Sequence, residues 1–185
     1  MGGVMPVPAV CGGPIETLIT SIVKKYSKKD GFQLTIFSVY HKEAVEAAKN
    51  YPDVRFVWTH TNTFWNLAKH AVFLAVRELT GKTIRMLQRH YNEIAPVLQN
   101  EKFDLILVEG GDEKAVIDIA KGYTRDQLVF HAHIHFIPKE EVVKGFGHML
   151  GVSEFVVREY QKACKMPVDA HVLRNAIDTD KFNKP

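Results

Sequence analysis

Apolar residues recur along the chain in two alternating rhythms. After an extended start at Val4 to Val7, limited by Pro6 and Pro8, a Gly12-Gly13-Pro14 turn opens a new stretch. There Ile15, Leu18, Ile19, Ile22, Val23 and Tyr26 follow at helical spacing. Pro14 suits the first helical position, where a missing N–H costs nothing. Lys24, Lys25, Lys28 and Lys29 fall in the last turns, where positive charge favours the helix dipole, and Asp30-Gly31 ends the helix. Phe32 to Tyr40 reads as a strand, Lys42 to Asn50 as a helix and Asp53 to Trp58 as a second short strand. Phe64 to Gln99 is a long helical region that Gly81 divides and Pro96 disturbs at its end. Asp104 to Val108 is a continuous apolar run, the kind buried on both faces of a parallel sheet. Glu113 to Lys121 is a helix, Gln127 to His133 a strand, Lys139 to Lys144 a short helix and His148 to Val152 a short strand. Ser153 can cap a helix running to about Cys164, and Ala170 to Leu173 is a last strand.

This alternation predicts an α/β fold: a three-layer, Rossmann-like open parallel sheet with helices on both faces. A chain of 185 residues suits one domain and can bury a core without a metal or disulfide staple. Residues 1–174 read as that domain. Residues 175–185 read as the start of an interdomain linker, because the tail brings charge and Asp178-Thr179-Asp180 but no further core.

Composition narrows the class. Apolar residues make up 46% and charged residues 24%, as in an ordinary water-soluble domain. A net charge of +3 is too small to argue for nucleic acid. Cys11 and Cys164 lie far apart and form no Cys-x-x-Cys pair, which fits two free thiols in a reducing compartment. The first residues lack the basic stretch and apolar run of a signal peptide, and no apolar run reaches the ~18 residues of a membrane span. A cytoplasmic location is expected, with peripheral contact at the inner face of the membrane left open.

In an open α/β sheet, ligands bind outside the carboxyl ends of the strands. Three places just after strands therefore hold candidate chemistry, and a helix face makes a fourth. At Gly12 and Gly13, glycines let backbone approach a ligand, and a helix start attracts an anion such as phosphate. Glu16 in the first turn opposes a second anion, so a plain capped turn is the competing reading. The spacing Gly-x-Gly-x-x-Gly is absent, which argues against a nicotinamide cofactor. In the second place, Glu109 would point into the crevice ahead of Gly110-Gly111-Asp112. Asp112 and Glu113 make that helix start suited to a sugar hydroxyl rather than a phosphate, or simply to an N-cap. In the third, His131, His133 and His135 occupy alternate positions and share a face. A substrate-polarising histidine is the first expectation there. Core or partly buried histidines are the second. Zinc is the third, weakened by the poor convergence of alternate positions on one ion and by the lack of a Cys or Asp neighbour to complete a set. In the fourth place, Lys82, Arg85 and Arg89 form a basic stripe downstream of Phe64, Trp65 and Phe73. It suits either an anionic membrane or lipid-linked substrate, or a solvated helix face.

Three stretches together resemble the retaining GT-B glycosyltransferases of the large glycogen-synthase-like family that builds bacterial surface polysaccharides. Pro6-Val7-Pro8-Ala9-Val10-Cys11-Gly12-Gly13-Pro14-Ile15-Glu16-Thr17 resembles the family's Pro-rich, Gly-Gly-x-x-Glu approach to its first helix. Leu128-Val129-Phe130-His131-Ala132-His133 resembles its histidine-ended strand. Val172-Leu173-Arg174-Asn175-Ala176-Ile177-Asp178-Thr179-Asp180-Lys181-Phe182 resembles its Asn-Gly-(Ile/Val)-Asp-x-x-x-Phe passage into a C-terminal domain, with Ala176 in place of the usual glycine.

The resemblance implies the acceptor-side half of an enzyme that moves a sugar from a nucleotide-sugar donor to a glycan or lipid-linked acceptor. The alternatives are a non-catalytic module that binds glycan or a partner and, behind it, a metal-dependent hydrolase using His131, His133 and His135. The resemblance itself implies no cofactor beyond the nucleotide sugar as co-substrate, no resident metal and no nucleic-acid partner. Gly12 and Gly13 would border the donor diphosphate and the acceptor, and His131 would position the transferred sugar. Glu109 and His133 would contact the acceptor or sugar. The Asn175 to Phe182 passage would act as a hinge to a C-terminal donor domain, which residues 1–185 do not contain. The short first strand departs from the family, whose pattern has several more apolar residues before Val4.

Overall fold

A computed structural model of the chain describes residues 5–26, 31–61, 88–134, 139–164 and 167–176. The fold is α/β, with every strand pair parallel. The strands are β1 (Thr35–Val39), β2 (Arg55–Thr59), β3 (Ile106–Val108), β4 (Leu128–Ala132), β5 (His148–Gly151) and β6 (Asp169–Val172). The helices are α1 (Pro14–Lys25), α2 (Lys42–Ala48), α3 (Gln88–Asn100), α4 (Glu113–Ile119), α5 (Glu140–Gly145) and α6 (Glu154–Ala163). Helix and strand alternate as the apolar periodicity predicts. Among the described residues no helix is long and apolar enough to cross a membrane.

The strands fall into a two-stranded sheet, β1-β2, and a four-stranded sheet in the order β3-β4-β5-β6. The extended start is not a strand: residues 5–8 form bends against β1 instead. Pro6 and Pro8 have no N–H to give to a ladder, so the Val7 N–H donates to the Ser38 hydroxyl at 2.7 Å. Val7 is nevertheless buried and contributes to the core.

Helices cover both faces of the first sheet, and its period-two pattern shows how. The paired residues Ile36 and Phe56 pack with Ile19 and Val23 of α1. The next pair, Phe37 and Val57, faces the main core with Tyr91, Ile94 and Leu98 of α3. Phe37 meets Phe103 with ring centroids 5.8 Å apart, which ties this sheet to the segment leading into β3. β4 is buried at every position, as the centre of a parallel sheet requires, whereas β6 is an exposed edge.

Local caps match the sequence reading. Asp112 Oδ1 accepts the Ala115 N–H at 2.9 Å, and Ser153 accepts the Val156 N–H at 3.3 Å. Pro96 sits inside α3, which continues to Asn100. The basic-stripe residues Lys82 and Arg85, the aromatic residues Phe64, Trp65 and Phe73, Gly81, His135 and the passage from Ile177 to Phe182 lie outside the described residues.

At the end of β2 a polar pair is built into the core. The Thr59 hydroxyl donates to the Ser38 carbonyl at 3.0 Å, and His90 Nδ1 lies 2.5 Å from the same oxygen. With its one proton committed, Thr59 accepts, so His90 donates through Nδ1. Burial pushes the His90 pKa down to about 4. An unfolded histidine titrates near 6.5, so between these values only the unfolded chain binds the proton. Stability therefore falls as pH drops through that window, by on the order of 2–3 kcal/mol between pH 7 and 4.5. In urea unfolding at the two pH values, His90→Leu is expected to lose less stability on acidification than the wild type. An equal loss in both proteins would remove His90 as the source.

Candidate functional site

Two glycine turns approach each other at the carboxyl ends of the strands. The first precedes α1. Gly12 has φ 81° and Gly13 φ 96°, a region that side chains with a Cβ rarely adopt. Gly13 is the N-cap of α1, and no side chain caps it. The carboxylate of Glu16 folds back over Gly13 instead, so a Cβ there would collide with Glu16 Oε2 and crowd Met5 Sδ. Glu16 is buried. The helix start thus already has an anion beside it, supplied by the chain itself.

The second turn follows β3. Gly110 and Gly111 both have positive φ, at 130° and 101°. The Asp112 N–H at its end donates to the Tyr91 hydroxyl at 2.7 Å, which fastens the turn to α3. A Cβ on Gly110 would lie 3.5 Å from Ile15 Cδ1, so the second turn rests directly on the first turn of α1.

Parallel register sets the chemistry between β3 and β4. Val108 pairs with Phe130, so the next residues, Glu109 and His131, emerge side by side. Glu109 Oε2 lies 2.9 Å from His131 Nδ1 and 2.7 Å from His133 Nε2. The two imidazole rings are 4.2 Å apart, centroid to centroid. On its far side, His131 Nε2 lies 3.4 Å from the carbonyl of Leu173, just past β6. Glu109 and His131 are 5% and 2% exposed, and His133 forms the more open rim. Burial alone would raise the Glu109 pKa. Hydrogen bonds from His131 and His133, with the attraction of His131, more than offset it and hold the carboxyl at about 2. Glu109 is a buried carboxylate at neutral pH.

The sequence-predicted residues thus gather at one edge. Glu109, His131 and His133 are in direct contact, and Gly12 and Gly13 stand at the helix that the Glu109 turn packs against. Arg89, from the basic stripe, is engaged with Glu93 at 2.7 Å, and Glu93 also accepts the His60 N–H at 2.7 Å. Asn175 and Ala176 are exposed beyond β6. A hollow of about 190 Å³ lies elsewhere, between Val23, Lys24 and Tyr26 at the end of α1 and Asn50 to Val54 before β2. It shares no residue with the histidine cluster.

Two buried polar residues at the end of β2 and on α3, Thr59 and His90, were not expected from the sequence. His90 shares a helical face with the buried Ile94 and Leu98, at spacings of four, and that spacing was the available signal for a core histidine. Thr59 carried no comparable mark. No protein-family model, curated protein or solved structure matches the chain.

Gly13 and Gly12 separate steric from conformational constraint. Gly12→Ala meets no atom within 4 Å and suffers only its positive φ, at a cost of about 1 kcal/mol. Gly13→Ala must in addition displace the end of the Glu16 side chain and is expected to cost up to about 1 kcal/mol more than Gly12→Ala in denaturant unfolding. Equal losses for the two variants would show that Glu16 does not constrain the turn.

Proposed function

We propose that this chain is the acceptor-side domain of a retaining glycosyltransferase of the GT-B type. It would work with a C-terminal domain that binds the nucleotide of an activated sugar. The observation that carries the reading is the convergence of Glu109, His131 and His133 at the carboxyl ends of adjacent parallel strands, beside the glycine turn of α1. These are the places where the family resemblance puts sugar and acceptor contacts.

In this reading Gly12 and Gly13 border the donor diphosphate. With Glu16 against the helix start, their part is close backbone approach rather than capture of a second anion. His131 positions the transferred sugar through a ring whose orientation Glu109 fixes. His133, at the rim, meets the sugar or the acceptor. The acceptor is a glycan or a lipid-linked sugar, and polysaccharide or cell-envelope synthesis is the setting. The barrier falls through positioning of the reactants and charge stabilisation at the leaving diphosphate. The second requires the partner domain, so residues 1–185 alone bind weakly and turn over little.

Heteronuclear NMR of the 185-residue chain, titrated with UDP-, GDP- and ADP-sugars and with acceptor-type oligosaccharides, tests this. Expected are shift changes clustered at Gly12, Gly13, Glu109, His131 and His133, without turnover. Perturbations confined to the hollow by Tyr26 and Asp53, or turnover at ordinary enzyme rates by this chain alone, would overturn the reading.

A further inference from the structure

The hydrogen-bonding arithmetic of His131 leads beyond sugar contacts. Its ring stands between two acceptors, Glu109 Oε2 at Nδ1 and the Leu173 carbonyl at Nε2. A neutral imidazole has one N–H and can serve only one of them. If Nε2–H faces Leu173, Nδ1 presents a lone pair to a carboxylate oxygen 2.9 Å away, and two lone pairs repel at that distance. The other tautomer places Nδ1–H on Glu109 and leaves a ring lone pair facing the Leu173 carbonyl at 3.4 Å. His133 Nε2 is directed at the same carboxylate oxygen from 2.7 Å. One buried carboxylate thus has two ring nitrogens aimed at it.

We propose that Glu109, His131 and His133 bind a divalent transition-metal ion of the zinc class. Their donor atoms all lie within 4.8 Å of one another. Donors about 2.1 Å from a tetrahedral ion stand roughly 3.4 Å apart, so the two ring nitrogens, at 2.9 and 2.7 Å from Glu109 Oε2, need to draw back from it by about 0.5 and 0.7 Å. Two imidazoles and a carboxylate are a sufficient protein set for such an ion, and they leave positions for water or a substrate oxygen. The Leu173 carbonyl supplies the outer support typical of a metal-bound histidine: it takes the N–H of the ring nitrogen that does not face the metal. The set draws on two strands, so it does not require alternate positions of one strand to converge unaided. The inference is independent of the transferase reading, because the ligands belong to this chain and the readout is metal binding.

The test uses the tag-free 185-residue chain, stripped with chelator and dialysed against zinc at pH 7.5. Cobalt serves in parallel as a spectroscopic probe. The expected result is one equivalent of tightly held metal and visible cobalt absorption typical of low coordination number. His133→Ala, at the rim, is expected to weaken binding at least about a hundredfold while keeping the wild-type circular dichroism. His133→Asp, which restores a ligand atom, is expected to recover part of it. Nitrogen-15 spectra of the imidazoles, in unsubstituted protein, supply a measure that does not depend on a variant's folding. Zinc should shift His131 Nδ1 and His133 Nε2 and leave no N–H proton on either. Binding only at millimolar zinc, affinity unchanged in folded His133→Ala, or a doubly protonated His131 ring that zinc does not alter would each overturn the site.

Discussion

The pairing of β3 with β4 governs this molecule's chemistry. Glu109 and His131 sit on different segments, and nothing local draws them together. The parallel ladder that joins Val108 to Phe130 does, and it delivers both side chains to the same edge one residue later. Apolar burial on both faces of β4 holds that register, because a slip by one residue would exchange the side chains packed on its two faces. The hydrophobic core therefore sets the distance between a buried carboxylate and a buried imidazole at its edge. The positive-φ turn at Gly110-Gly111 and the Tyr91 hydroxyl then keep Glu109 from swinging away with its loop.

Much of this architecture is legible in the sequence, for a clear reason. Strand and helix periods, the proline at the first position of α1 and the caps at Asp112 and Ser153 are local properties, and each appears where the chain places it. What fails locally also has a physical cause. Val4 to Val7 looks extended, but two prolines strip it of ladder donors, so residues 5–8 pack beside β1 and make no strand. The described strands are parallel throughout, as periodicity implies, and lie in a two-stranded and a four-stranded sheet. The candidate site was legible as a set of residues and illegible as a cluster. Glu109 and the histidines each stand out at a strand end, yet which strand neighbours which is a property of neither segment. The role of Glu16 was half visible: its charge at the helix start is in the sequence, while its collapse onto Gly13 depends on the side chain's path.

The two glycine turns show how a scaffold brings loops close without exposing more core. Ile15 lies beside Gly110, close enough that a Cβ there would meet its Cδ1 at an ordinary contact distance of 3.5 Å. The start of α1 and the end of β3 are consequently fixed relative to each other by apolar contact. The polar groups around them, Glu16 on one side and Glu109 on the other, are oriented rather than freely solvated. Burial is what gives these carboxylates their character. Glu109 remains charged because two imidazoles face it, at a depth where an unpaired carboxylate would take up a proton.

The strand order β3-β4-β5-β6 follows the chain order without a jump. Each strand past β3 finds its edge already laid down by the segment before it, so loops between contacting strands stay short and the entropy of closing them is small. During synthesis this half can grow by accretion, one strand and helix at a time from the ribosome, with no need to wait for distant sequence. His131 takes its outer contact from Leu173, just after the last of these strands. The cluster therefore draws a contact from a segment two strands beyond the one that carries its rings.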